Sequence, residues 1–223
     1  MSVIPNLVPA VPADYLSPAE HIVRIVGRYR DREDRIVDPV FGYEPNQAAE
    51  LVDTRWAACV AILSAKGRCG EFLAAAMRIV DRYTEKLSTC GCGAFPASEF
   101  HARELGHALL HLRDRVEPAR WETWLRRFAR PIGEIHPSIR GHDRIHNANT
   151  FALVGEQIKA RLGIPLDSIY LDRHLAMQWE FFDANGMYRD PKEPMTYDAV
   201  TRANLALIVH HGYAGSELGW MSD

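Results

Sequence analysis

Two stretches of the chain gather residue types that do chemistry. Arg140-Gly141-His142-Asp143-Arg144-Ile145-His146-Asn147-Ala148-Asn149 stands at the head of one apolar periodic run. Asn185-Gly186-Met187-Tyr188-Arg189-Asp190-Pro191, then Met195-Thr196-Tyr197-Asp198, stands at the head of another. Residues at helix starts project from one rim of a helical protein, beside free N–H groups and the positive ends of the helix dipoles. By type alone, Asp143, Asp190 and Asp198 are candidates for glycoside hydrolysis, which needs two carboxyl groups about 5 to 10 Å apart across the sugar. Their spacing does not select two. A second set, Glu104, His107 and His111, falls at i, i+3 and i+7, with His101 a turn earlier and Cys90-Gly91-Cys92 upstream. That is a candidate metal-ligand pattern. Leu105, Ala108, Leu109, Leu110 and Leu112 around it are what a packed helix shows, and the Cys-x-Cys pair has no second pair, so no metal and no cofactor is assigned.

The elements that must position these residues are helices almost throughout. Ser17-Pro18-Ala19-Glu20 reads as an N-cap, a proline at the first helical position and a capping glutamate, opening a helix to about Arg32. Further helices are expected over about 46–65, 70–87, 97–113, 118–130, 149–162, 167–182 and 197–211, and no intervening run alternates as a strand does. Trp121 and Trp124 with Arg126, Arg127 and Arg130 fit an amphipathic outer helix.

Short loops alternate with longer ones, and the longer ones carry Phe41-Gly42-Tyr43, Gly93-Ala94-Phe95, Gly141-His142 and Gly186-Met187-Tyr188. These glycines follow one another at 51, 48 and 45 residues, the length of a two-helix unit. The chain is therefore expected to be all-α, a repeat of αα-hairpins over 17–223 after an extended tail over 1–16. Such repeats stack as an open solenoid or curl into an α/α toroid, and the polar and aromatic helix starts favour the toroid. Four hairpins use up the chain, so the toroid is expected to be incomplete or open, with completion by a second copy or a partner subunit left open. The starts near Asn46, Ala97, Asn149 and Tyr197 should then converge on one cavity.

With 47% hydrophobic and 25% charged residues, the 223-residue chain has the composition of a globular protein rather than a disordered one. A net charge of −3 gives no basic footprint for nucleic acid. No segment approaches the roughly 20 apolar residues of a membrane span, and Pro5, Pro9 and Pro12 break the N-terminal apolar residues, so no membrane partner and a cytoplasmic location are expected. Cys59, Cys69, Cys90 and Cys92 fit reduced thiols.

His146-Asn147-Ala148-Asn149-Thr150-Phe151-Ala152-Leu153, Asp183-Ala184-Asn185-Gly186-Met187-Tyr188-Arg189-Asp190 and Pro194-Met195-Thr196-Tyr197-Asp198 resemble the helical-toroid part of bacterial polysaccharide lyases of the heparinase II/III-like and alginate-lyase-like kinds. The pattern extends over most of 35–215, while the specific residues lie within about 140–200. The resemblance implies a lyase cleaving an acidic, uronic-acid-containing oligo- or polysaccharide by β-elimination. One group neutralises the uronate carboxylate so that the C5 proton can be removed, and His or Tyr moves that proton and protonates the departing O4. On that reading His146 is the candidate base, Asn147 and Asn149 the neutralisers and Tyr197 the acid. Arg140 and Arg189 hold carboxylates, and His142, Tyr188 and Tyr43 line the substrate path. No unambiguous Asn-Tyr-His-Arg set is present, which departs from the family pattern. Asp53, Arg55, His101 and Arg103 occupy analogous entrance positions.

Simpler roles compete. Asn147 and Asn149 suit N-caps, His146 a loop hydrogen bond, Tyr197 a core aromatic and Asp190-Pro191 a turn. A non-catalytic helical scaffold accommodates the same rim.

Overall fold

The computed structural model describes residues 12–40, 42, 47–91, 94–135, 146–191 and 197–221, and these are helical, with isolated β-bridges in the loops. The elements are α1 (Pro12–Gly27), α2 (Gln47–Ala65), α3 (Leu73–Thr89), α4 (Ser98–Leu112), α5 (Pro118–Phe128), α6 (Asn147–Leu162), α7 (Ser168–Trp179), α8 (Asp198–His210) and a short α9 (Leu218–Met221). No helix among the described residues is long and apolar enough to cross a membrane.

One boundary differs from the sequence expectation. Helix α1 begins at Pro12 rather than Ser17 and takes in residues assigned to the tail, so Pro18 lies inside the helix. Pro12 has the preset φ and the dispensable N–H of a first helical residue, whereas Pro18, the seventh, leaves one i→i−4 hydrogen bond out of the ladder. At its other end α1 stops at Gly27, and the Arg28 and Tyr29 N–H groups close tighter turns onto the Ile25 and Val26 carbonyls.

Helices α2, α4, α6 and α8 form one layer, with α4 packed on α2 and α6, and α6 on α8; α1, α3, α5 and α7 pack behind them. The layer is parallel. Ring Phe100 meets Phe151 at 4.2 Å, Ala102 faces Gly155, and Gly106 faces Ile158, so α4 and α6 climb together. Asn204 bonds Thr150 and Gln157 bonds the His211 carbonyl, so α6 and α8 do as well. Thr54 to His101 and Arg55 to Glu104 align α2 with α4. The layer bends enough that α8 also touches α4, through Arg103 to Asn204 and His107 to His211.

The first and fourth hairpins repeat one loop. In Tyr29–Pro39 and Phe181–Pro191, an aspartate (Asp31, Asp183) accepts two main-chain N–H bonds from the residues that follow. Each loop closes with an antiparallel bridge, Arg30 to Ile36 and Phe182 to Tyr188. The N–H of Ile36 or Tyr188 then donates to an aspartate on the next inner helix, Asp53 or Asp198, both at 2.7 Å. A short polar side chain that mimics a backbone acceptor is what makes such a turn.

Helix α6 is the centre of the core, buried from Asn147 to Lys159. Its charged pair, Glu156 and Lys159 (2.7 Å), ties down the surrounding loops: Glu156 accepts from the N–H groups of Ile132 and Asp167, and Lys159 donates to the Arg130 carbonyl. Every polar atom named there has a partner, which is the condition for tolerating charge in a core.

Candidate functional site

Most of the residues singled out from the sequence hold the rim together. His146 caps α6: its Nδ1 accepts from the Ala148 N–H (3.3 Å), and its own N–H donates to Asn149 Oδ1 (3.0 Å), closing a capping box. The Nδ1 lone pair of His146 is thereby engaged in the cap. The Asn147 N–H donates to Asp190 Oδ2 (2.8 Å), and Asp190 is buried. Tyr188 has no exposed surface; its hydroxyl donates to Gln178 Oε1 (2.8 Å), and Gln178 Nε2 donates to the His146 carbonyl (3.2 Å). Burial, and then the Asp190 charge, pushes the Tyr188 phenol up. That ring is closed to sugar stacking. Arg189 pairs with Asp183 at 2.7 Å. Tyr43, Arg140 and His142, with Asp143, lie outside the described residues. Tyr197 stands at the head of α8, partly exposed, with no hydrogen bond from its hydroxyl among the described residues.

Asp190 and Asp198 are engaged too. Asp198 accepts from the Tyr188 N–H and pairs with Arg202 at 3.0 Å, and those bonds hold its carboxyl below the usual range against the opposing effect of burial. Neither is placed as an exposed hydrolytic acid. An Asp190→Ala variant is expected to lose about 1 to 3 kcal/mol in urea unfolding, because the Asn147 N–H stays buried without its carboxylate.

The inner helices are linked by side chains one or two turns inside their starts. Helix α4 is flanked by α2 and reached by α8, and the face they border is read as a trough. From α4, Arg103 donates to Glu104 Oε1 (2.5 Å) and to Asn204 Oδ1 (2.8 Å) on α8, and Asn204 Nδ2 donates to Thr150 Oγ1 (2.9 Å) on α6. The Arg103 guanidinium lies 4.1 Å over the Phe151 ring. From α2, Arg55 approaches Glu104 at 3.7 Å and lies 5.8 Å over Phe100, with half of its side chain in solvent. Two arginines share one carboxylate, which leaves a net positive charge backed by aromatic faces. A planar guanidinium with free donors is the group that grips a carboxylate.

Deeper on the α2 wall, Cys59 is solvent-exposed, yet burial raises its thiol pKa. Farther along, His107 and His211 lie with ring centroids 5.3 Å apart and His210 and His211 5.2 Å apart, while Arg161 donates to His211 Nδ1 (3.4 Å). Among the described residues no three His, Cys, Asp or Glu side chains are placed to hold a metal ion. The zinc pattern of Glu104, His107 and His111 resolves into an arginine partner and two trough residues.

Arg55 and Arg103 were visible in the sequence as entrance residues. Asn204, Phe100 and Phe151 were not, because each sits inside an apolar period that reads as core. Trp179 was also passed over: 47% exposed and stacked on Phe182 at 5.7 Å, it lines a shallow groove of about 640 Å³ with Glu180, Asp183 and Gly186.

No protein-family model matches the chain, and no curated protein or solved structure matches it.

Proposed function

We propose that the hairpin array is the arc of an α/α toroid and that its trough binds an acidic saccharide, which the protein cleaves as a polysaccharide lyase. The observation that carries this reading is the half-exposed Arg55 on the α2 wall, facing Arg103 across the single carboxylate of Glu104. A uronate entering there meets a guanidinium not fully committed to a protein partner beside the partly exposed ring of Phe100.

Neutralising the uronate lowers the cost of removing its C5 proton. The proton leaves C5, its electron pair forms the C4–C5 double bond, the C4–O4 bond breaks, and O4 takes a proton. Tyr197 is the proton-transfer group, since it stands partly exposed at the rim and its hydroxyl makes no hydrogen bond among the described residues, whereas His146 and Asn149 serve as the cap of α6. Asn147, Tyr188 and Arg189 position the loop that leads to it.

Incubation with uronic-acid polymers is expected to yield unsaturated uronate, seen as new ultraviolet absorbance, and Tyr197→Phe to reduce the rate by at least about 100-fold, the lower range for a lost acid–base group. Reducing ends appearing without that absorbance would replace elimination by hydrolysis. Full turnover by Tyr197→Phe would remove Tyr197 from the chemistry.

A further inference from the structure

We propose that a second copy of this chain docks head to tail, the α7–α8 hairpin of one copy packing on the α1–α2 hairpin of the next as neighbouring hairpins pack within the array. The ground is the repetition of the first hairpin by the fourth, and the inference stands apart from the saccharide reading.

The repetition extends beyond the shared loop. Residues correspond at a shift of 152 through the outer helix and the loop (Asp31 to Asp183) and of 145 from the inner helix onward (Asp53 to Asp198). Past the inner helix both hairpins turn at a glycine of positive φ, Gly67 and Gly212. The N–H that follows, of Arg68 or Tyr213, donates to the carbonyl five residues back, Leu63 or Ile208. The Arg68 and Tyr213 side chains then bond corresponding carboxylates, Glu20 and Asp172, and five residues later α3 and α9 begin. Where the array covers a face of one hairpin, it shows what fits the same face of the other.

Toward the preceding hairpin, the fourth is covered and the first is bare. Tyr170 lies against Gly133, where an added methyl group would come within 3.2 Å of its ring, and His174 is 5% exposed. Their counterparts on α1 are Pro18, which is exposed, and Ile22, 60% exposed. On the inner helices, Asn204 is buried where it bonds Thr150 of α6, while its counterpart Cys59 is exposed.

Toward the following hairpin the roles reverse. Thr54, Ala58 and Ala61, on the face of α2 that meets His101 of α4, are buried. Their counterparts on α8, Ala199, Ala203 and Ala206, are all exposed. Gly27 is buried under Phe72 and Trp56, and Trp179 in its place is 47% exposed.

The two bare faces are therefore the two halves of a contact that the chain already makes between its own hairpins, which makes a second copy the occupant. Apolar exposure follows the same division. Among the described residues, exposed large hydrophobics on helices fall only on α1, α2 and α7, and α3 to α6 show none. Helices α1 and α2, of 16 and 19 residues, are about 24 and 28 Å long. Packed roughly 10 Å apart, they offer a face on the scale of a stable interface, about 800 Å² per partner. Joining unlike faces makes a heterologous interface, which continues as a ring or a filament.

The test is sedimentation of the full chain and of two variants, Ile22→Glu on the first face and Ala203→Glu on the second, with thermal melts to establish that each is folded. Both positions are exposed, and Tyr15→Glu and Ala206→Glu, on the same two faces, replace either variant that does not fold. The wild-type chain should self-associate at about 100 μM, and each variant should weaken association at least about tenfold. An equimolar mixture of the two variants should form a one-to-one dimer and nothing larger, because each retains the face that the other has lost. A wild-type chain that stays monomeric, or a mixture that does not associate, would overturn the proposal. So would association of Ala203→Glu at wild-type strength, which would show like faces pairing through α1 instead.

Discussion

A Gly155→Ala variant should lose about 2 to 3 kcal/mol of stability, the cost of overpacking a tight core less the gain in helix propensity. A methyl group at Gly155 would lie 2.8 Å from the carbonyl carbon of Ala102, 2.8 Å from its Cβ and 3.0 Å from its oxygen. Two of those three atoms are backbone, so no rotamer change relieves the contact, and α4 and α6 must separate. Gly106→Ala is the contrast. Its nearest neighbours are the ends of the Ile158 and Phe128 side chains, at 3.0 to 3.3 Å, which can shift, and a loss under about 1 kcal/mol is expected. Chemical denaturation of the two variants decides it: Gly155→Ala as stable as wild type would mean that α4 and α6 are not in this close contact. The spacing matters to the trough because Arg103 on α4 stacks on Phe151 of α6.

The second large effect is acid destabilisation. His101 is held at about 3 by burial and then by Lys86 and Arg55; its ring lies 4.5 Å from Phe95 and 5.1 Å from Tyr83, and its Nδ1 meets Thr54 Oγ1 at 3.0 Å. His107 is held at about 3 by burial and then by His211 and Arg103, and His211 at about 4 by burial and then by His210 and Arg161. In the unfolded chain these imidazoles titrate near 6.5. Their contribution is therefore complete above about pH 6.5 and is lost as pH falls towards 4, because the unfolded chain binds three protons that the folded chain does not.

Asp53 works in the opposite direction. Burial raises its carboxyl from 3.8 to about 6, against the bonds from Ile36 and Tyr83 that favour its ionised form. Between about pH 4 and 6 the folded chain thus holds one proton that the unfolded chain has released, so this group loses stability as pH rises. The net difference near pH 5 is about two protons, a slope of about 3 kcal/mol per pH unit. Two units of acidification would remove much of a typical domain's stability. Urea unfolding at a series of pH values reads the slope directly, and His107→Gln and His211→Gln should each flatten it. A flat profile between pH 6.5 and 4.5 would mean that these histidines are solvated.

Helix positions were readable because the apolar period and the loop glycines agree locally; α2, α6 and α8 begin within about two residues of their expected starts. A polar helix entrance at 146–149 was readable for the same reason, but the N-cap is His146, read from sequence as a loop hydrogen-bonder, with Asn149 completing the capping box and Asn147 the first helical residue rather than the cap. Arg189 and Tyr188 misled, because nothing local says that Asp183 and Gln178 will take their polar groups. The trough was hidden more deeply. Arg103, Glu104 and Asn204 lie 101 residues apart at the extremes, and their bonding depends on α8 folding back to α4, which the spacing of glycines does not encode.

The central claim, that the trough receives an acidic saccharide at Arg55, is most directly tested by titrating the wild-type chain with an oligouronate and with the neutral oligosaccharide of the same linkage. The account predicts binding of the acidic ligand that weakens as salt is raised, little binding of the neutral one, and loss of the difference in Arg55→Ala. Equal affinity for both ligands, or an Arg55→Ala variant that still discriminates between them, would contradict it.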